Sequence, residues 1–164
     1  MNTGQMLLTI GAMLLLSTLV LKVNTTNMTT DSVRSEAQFG VIATSLITSI
    51  MEEAKSKAFD SKTDSNSVTL LSQLTEPNKL GPESGETYDM FNDFDDFNNF
   101  AKVDSSMPSA PFNILCKVVY VAQNNVKGYS TLPTWHKKLS VTVSSTFMSD
   151  TISQSTIYSY WFFR

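Results

Sequence analysis

Hydrophobic positions along the chain fall into three regimes. Across residues 6–21 apolar and small residues run without a charge, and the run stops at Lys22. From Asp31 to about Phe59 they recur at three- and four-residue steps, at Val33, Ala37, Gly40, Val41, Thr44, Ile47, Ile50, Met51, Ala54 and Ala58. Beyond residue 111 they alternate, with Leu139, Val141 and Val143 set between Ser140, Thr142 and Ser144. The first pattern predicts a helix covered all round by lipid or by other helices, the second an amphipathic helix, and the third strands.

The first run covers roughly 24 Å as helix at about 1.5 Å per residue, a little short of the roughly 30 Å hydrocarbon core of a bilayer. Residues 1–5 carry no Lys or Arg, and residues 20–24 offer no small-residue cleavage site, so a removable secretory signal does not fit. A permanent anchor or an assembly helix remains. Residues 24–30 are Asn and Thr around a single Met, poor helix formers whose side chains compete for backbone hydrogen bonds. They predict a weak or interrupted helix, a hinge over residues 23–30 between the apolar helix of residues 1–22 and a head of residues 31–164. Asp31 is the expected N-cap of the second helix, which should end near Phe59 and Asp60.

Residues 60–111 are rich in Ser, Asn, Asp, Gly and Pro, with an apolar island at residues 68–74, and predict a long loop holding one small helix or strand. Within it, residues 88–100 space aromatic rings through a carboxylate cluster. The rings are expected to dock on the domain while the acids face water. Strand patterns cover residues 112–123, 138–147 and 153–163. The expected fold class is therefore α+β: a long N-terminal helix, membrane-spanning in its first half and amphipathic in its second, packed on a C-terminal antiparallel meander.

Composition narrows the functional classes. The 164 residues suit one modest domain plus an anchor, and the net charge of −3 is spread unevenly: −1 over residues 1–74, −6 over 75–104 and +4 over 105–164. With no basic stripe, nucleic acid is not an expected partner. Cys116 is the one cysteine, read as a small core residue. A lone His136, with no phosphate-binding glycine loop and no Cys/His metal spacing, argues against an enzyme. Asp93, Asp95 and Asp96, with Asp89, Asn92 and Asn98 nearby, are hard oxygen donors that could hold calcium, the one candidate cofactor. The other reading is a solvated acidic loop whose repulsion is offset by helix amides, a cation, or Lys117, Lys137 and Lys138 on the sheet.

The apolar helix, its amphipathic continuation and the C-terminal sheet together resemble type IV pilins and pseudopilins. The segment Phe91-Asn92-Asp93-Phe94-Asp95-Asp96-Phe97-Asn98 is similar to the acidic, aromatic loop of some minor pilins of the mannose-sensitive haemagglutinin group, and Lys137-Lys138-Leu139-Ser140-Val141-Thr142-Val143 to the strand that follows it there. The resemblance implies a filament subunit and no catalysis. It implies that a prepilin peptidase cuts after Gly4 to leave Gln5 as the mature terminus. It also implies that Met6, Leu7, Leu8, Ile10, Leu14, Leu15, Leu16, Leu19, Val20 and Leu21 form the assembly helix. Thr9 stands where most pilins carry a glutamate, a loss that a minor subunit tolerates more easily. The implied partners are other pilin-like subunits and an inner-membrane assembly machinery. The implied location is the membrane first and a cell-surface filament afterwards.

Lys22 and Arg34, the nearest positive charges, follow the apolar run, and the positive-inside rule taken literally would put the head in the cytoplasm. Two charges are a small bias for a long domain, and the resemblance favours an extracytoplasmic head. The competing reading is a single-pass membrane protein with a small extracytoplasmic ligand-binding domain.

Overall fold

A computed structural model describes residues 2–106 and 110–161. The chain divides into two units, Met1–Phe39 and Gly40–Arg164. One helix, α1 (Thr3–Ser56), joins the two helices expected from the sequence. It runs unbroken through residues 24–30, so the interruption expected there does not occur. The hydroxyls of Thr25 and Thr26 donate to the Lys22 carbonyl at 3.0 and 2.8 Å, that of Thr29 to Thr26 at 2.8 Å and that of Thr30 to Thr26 at 2.9 Å. Each threonine thus satisfies its side chain within the helix, and its low propensity costs at most about 0.7 kcal/mol per residue. Extending a helix is far easier than starting one, so the Thr-rich stretch is carried along. Asp31 consequently lies inside α1 and caps nothing.

In residues 40–56 the buried side chains are Ala43, Ile47, Ile50, Met51 and Ala54, one stripe at helical spacing that packs against the sheet. Four of the five belong to the periodic set read from the sequence. Three further members, Val33, Ala37 and Val41, are exposed.

The sheet holds four antiparallel strands in sequence order: β1 (Ala101–Asp104), β2 (Phe112–Tyr120), β3 (His136–Ser144) and β4 (Ile152–Ser159). This is the expected meander with one addition, β1, which lies in the presumed loop and pairs Lys102 with Ile114. Asn99, with a φ of 60°, turns the chain into it. β2 turns Phe112, Ile114, Cys116, Val118 and Tyr120 inward, and β3 turns Lys137, Leu139, Val141 and Val143 inward. β4 is read to Ser159, and the part of its expected extent at Phe162 and Phe163 lies outside the described residues.

Between α1 and β1 the chain makes four single-turn 3₁₀ elements, one of them, Leu71–Gln73, in the predicted apolar island. Phe59, Val68, Leu74, Leu80 and Tyr120 form a buried cluster, with Trp135, Tyr158 and Tyr160 packed against it. The Tyr160 hydroxyl accepts the Val68 N–H at 3.0 Å, which ties the island to the end of β4. Long irregular chain is thereby held by aromatic anchors and backbone bonds.

Candidate functional site

Two features stand out chemically, one in each unit. In the first, every described residue through Gln38 is exposed. The residues expected to form an assembly helix, Met6, Leu7, Leu8, Ile10, Leu14, Leu15, Leu16, Leu19, Val20 and Leu21, are between 49% and 75% exposed. A helix this long and apolar is able to cross a membrane. Gly4 and Gln5 lie in its first turn, where the Gln5 N–H donates to the Asn2 carbonyl at 2.9 Å. Met1 of the expected leader lies outside the described residues. The Thr9 hydroxyl donates to the Met6 carbonyl at 2.9 Å, so this position presents no charge.

The second feature is a buried charge cluster. The rings of the acidic segment dock as expected: Phe91, Phe94 and Phe97 are buried, Phe91 meets Phe97 at 5.2 Å and Phe94 meets Tyr158 at 5.2 Å. The acids, however, do not face water. Asp93, Asp95 and Asp96 are at most 2% exposed, which overturns the solvated-loop reading. The backbone explains the reversal. The Ala58 N–H donates to the Asn92 carbonyl at 3.1 Å and the Phe94 N–H to the Ala58 carbonyl at 2.9 Å, so the segment is sewn to the chain just beyond α1. A tight turn so pinned buries consecutive side chains together, whatever their polarity. Its own N–H groups then serve the carboxylates. Asp93 Oδ1 accepts from the amides of Asp95 at 2.7 Å and Asp96 at 3.2 Å, and Asp96 Oδ2 from those of Asn92 and Asp93, both at 2.9 Å.

A lysine supplies the counter-charge. Lys137, on the inward face of β3 and fully buried, donates from Nζ to the Phe59 carbonyl at 2.8 Å, to Asp60 Oδ2 at 2.8 Å and to Asp95 Oδ1. The rings of Phe59 and Tyr120 lie 4.7 and 5.4 Å from the ammonium. Asp60, also fully buried, accepts in addition from the Lys62 amide at 3.1 Å, the Thr75 amide at 3.1 Å and the Thr75 hydroxyl at 3.0 Å. Of the three lysines named as possible counter-charges, Lys137 takes the role. Lys138 points the other way and donates to the carbonyls of Val126, Lys127 and Gly128.

The titration of these acids follows their surroundings. Burial raises Asp60, but the Lys137 ammonium and the Lys62 and Thr75 amides outweigh it and hold this carboxyl below its ordinary value. Asp93 is pushed up to about 9, first by burial and then by the charges of Asp95 and Asp96. Burial also raises Asp95, against the pull of Lys137, and raises Asp96, against two amide hydrogen bonds. Asp93 is therefore a neutral acid at pH 7. Its Oδ2 is buried with no hydrogen-bond partner.

Of the three acids named as calcium donors, Asp95 Oδ1 is engaged by Lys137, Asp96 Oδ2 by the amides of Asn92 and Asp93, and Asp93 Oδ1 by the amides of Asp95 and Asp96. Among the described residues, Glu83, Glu86 and Asp96 bring carboxylate oxygens within 4.8 Å of one another. Nothing in the spacing of Glu83 and Glu86 singled them out. Asp60 also escaped sequence reasoning, because it looked like a helix end and its partner is 77 residues away. His136 is half-buried at the start of β3, with Nδ1 2.7 Å from Ser159 Oγ. Cys116 is buried as expected, and burial pushes its thiol up to about 12.

In comparisons with known proteins, no family model, no curated protein and no solved structure matches the chain.

Proposed function

We propose that the chain is a pilin-like or pseudopilin-like subunit of a type IV pilus-like or secretion filament, assembled through its apolar N-terminal helix. The observation that carries this reading is α1 itself. It begins with an uncovered apolar surface and ends as the helix laid on an antiparallel sheet. Before assembly such a surface is stable only in lipid. Among copies of itself it is buried again, at roughly 25 cal/mol per Å² if the alternative is water. The head contributes lateral contacts and no chemistry on a substrate. The subunit's partners are then a prepilin peptidase acting after Gly4, other pilin-like subunits and a membrane-embedded assembly machinery.

The test is Leu14→Asp or Leu15→Asp at the middle of the apolar run. Either is expected to abolish filament formation while leaving the head folded, and filaments that still form would remove the proposed role of the helix. The mature terminus is a second readout, expected at Gln5. An intact Met1 together with a monomeric, membrane-bound chain would instead support a single-pass anchor carrying a small extracytoplasmic binding domain. That second reading draws on the same fact, a helix long and apolar enough to cross a bilayer.

A further inference from the structure

We propose that Lys137 and Asp95 condense into an intramolecular isopeptide bond, with Asp93 and Asp60 carrying the protons, so that β3 is covalently locked to the acidic segment. The inference is independent of whether the chain builds a filament. Forming an amide from an amine and a carboxylic acid needs three things that water normally denies. The nitrogen must be held against the carboxyl, the carboxyl must be made electrophilic by a proton, and a base must take the proton that keeps the nitrogen from attacking.

All three are present. Lys137 Nζ is fixed against Asp95 by two further acceptors, Phe59 O and Asp60 Oδ2, each at 2.8 Å, and both residues are closed to solvent. Well-oriented intramolecular reactions reach effective molarities of about 10⁵ M or more. Asp93 stands beside Asp95 as a neutral acid, oriented by the two amides on its Oδ1, with its Oδ2 taking no donor from the protein. Asp60 is the ionised carboxylate on the other side of the ammonium. Around them the rings of Phe59 and Tyr120, both buried, exclude the water that would hydrolyse the product.

The balance is simple. Asp60 takes one proton from the Lys137 ammonium, and Asp93 gives its proton to an oxygen of Asp95. The freed amine attacks Asp95 Cγ. The tetrahedral centre collapses as one oxygen leaves with two hydrogens, while Asp93 and Asp60 return to their starting forms. The Nζ–Cγ bond forms, one Cγ–O bond breaks, and one water is released. Nothing is oxidised or reduced, and no co-reactant is required. The product also removes two buried opposite charges, whose desolvation an ion pair only partly recovers.

The test is peptide mapping of the full-length protein, denatured and digested with trypsin. Expected is a branched species joining residues 80–102 to residues 128–138, one water lighter than its two parts and uncut after Lys137, with fragmentation placing the link between Asp95 and Lys137. Lys137→Arg should yield only linear peptides. Asp93→Asn, which keeps the hydrogen bonds of a neutral acid but cannot release a proton, should lose the branched species while circular dichroism still reports a folded chain. Recovery of wild-type residues 80–102 as a linear peptide, with cleavage after Lys137, would overturn the proposal. So would a link placed on Asp60, in residues 58–62, or full crosslinking in Asp93→Asn.

Discussion

Lys137 shows how one side chain sets the character of its surroundings. Its ammonium is enclosed with two carboxylates that reach it from the chain beyond α1 and from the acidic segment. Replacing it with Met would leave Asp60 and Asp95 buried without a counter-charge. Lys137→Met is therefore expected to destabilise the head by about 3–5 kcal/mol, read as a lower denaturant midpoint of the detergent-solubilised chain. Phe94 is the apolar counterpart, with no exposed surface and with its ring against Tyr158. Phe94→Ala should cost a similar amount, about 3–5 kcal/mol, through the cavity it leaves. Val41→Ala makes the contrast: the side chain is exposed, so the same assay should register a change within about 0.5 kcal/mol. A large loss at Val41 would mean that the exposed face of α1 is covered in the isolated chain.

At the level of elements, α1 combines a segment closed over by the sheet with a segment of threonines that bond only to their own helix. Backbone amides of residues 24–30 are consequently expected to exchange with deuterium much faster than those of Ala43, Ile47 and Ile50, although all belong to one helix. Equal protection would contradict that gradient. The helix and three of the strands were legible because their apolar periods of 3.6 and 2 are long and clean. The alternation that turns Leu139, Val141 and Val143 inward also turns Lys137 inward, so the sequence does carry that signal, although the general rule for lysine points outward. The burial of Asp93, Asp95 and Asp96 was not legible, since it follows from backbone bonds between residues 58 and 92–94 that leave no local pattern. β1 was missed because four residues with one exposed valine carry no periodicity, and only pairing with β2 makes them a strand. The continuous helix through residues 24–30 reflects cooperativity overriding weak propensity.

For the whole molecule, the buried acids make stability depend on pH in a direction opposite to that of an ordinary salt-bridged protein. Asp93, raised from 3.8 to about 9, keeps in the folded state a proton that the unfolded chain releases. Its contribution is complete below about pH 4 and is lost as pH rises through about 9, and Asp96 acts in the same sense. Asp60 acts oppositely: its contribution is present above 3.8 and disappears as the solution is acidified further. Thermal melts should therefore show greatest stability in mild acid and a decline towards pH 9, with a limiting slope of about 1.4 kcal/mol per pH unit for each proton. Asp93→Asn should flatten that decline, and an unchanged slope would place the titrating group elsewhere. The chain's single sulfhydryl offers a way to follow such changes in place. Cys116 sits on the inward face of β2 with its reactive anion scarce, so a thiol-labelling dye should meet it only when the head opens. The rate of that labelling on the purified chain would then time the opening at a position the chain already carries.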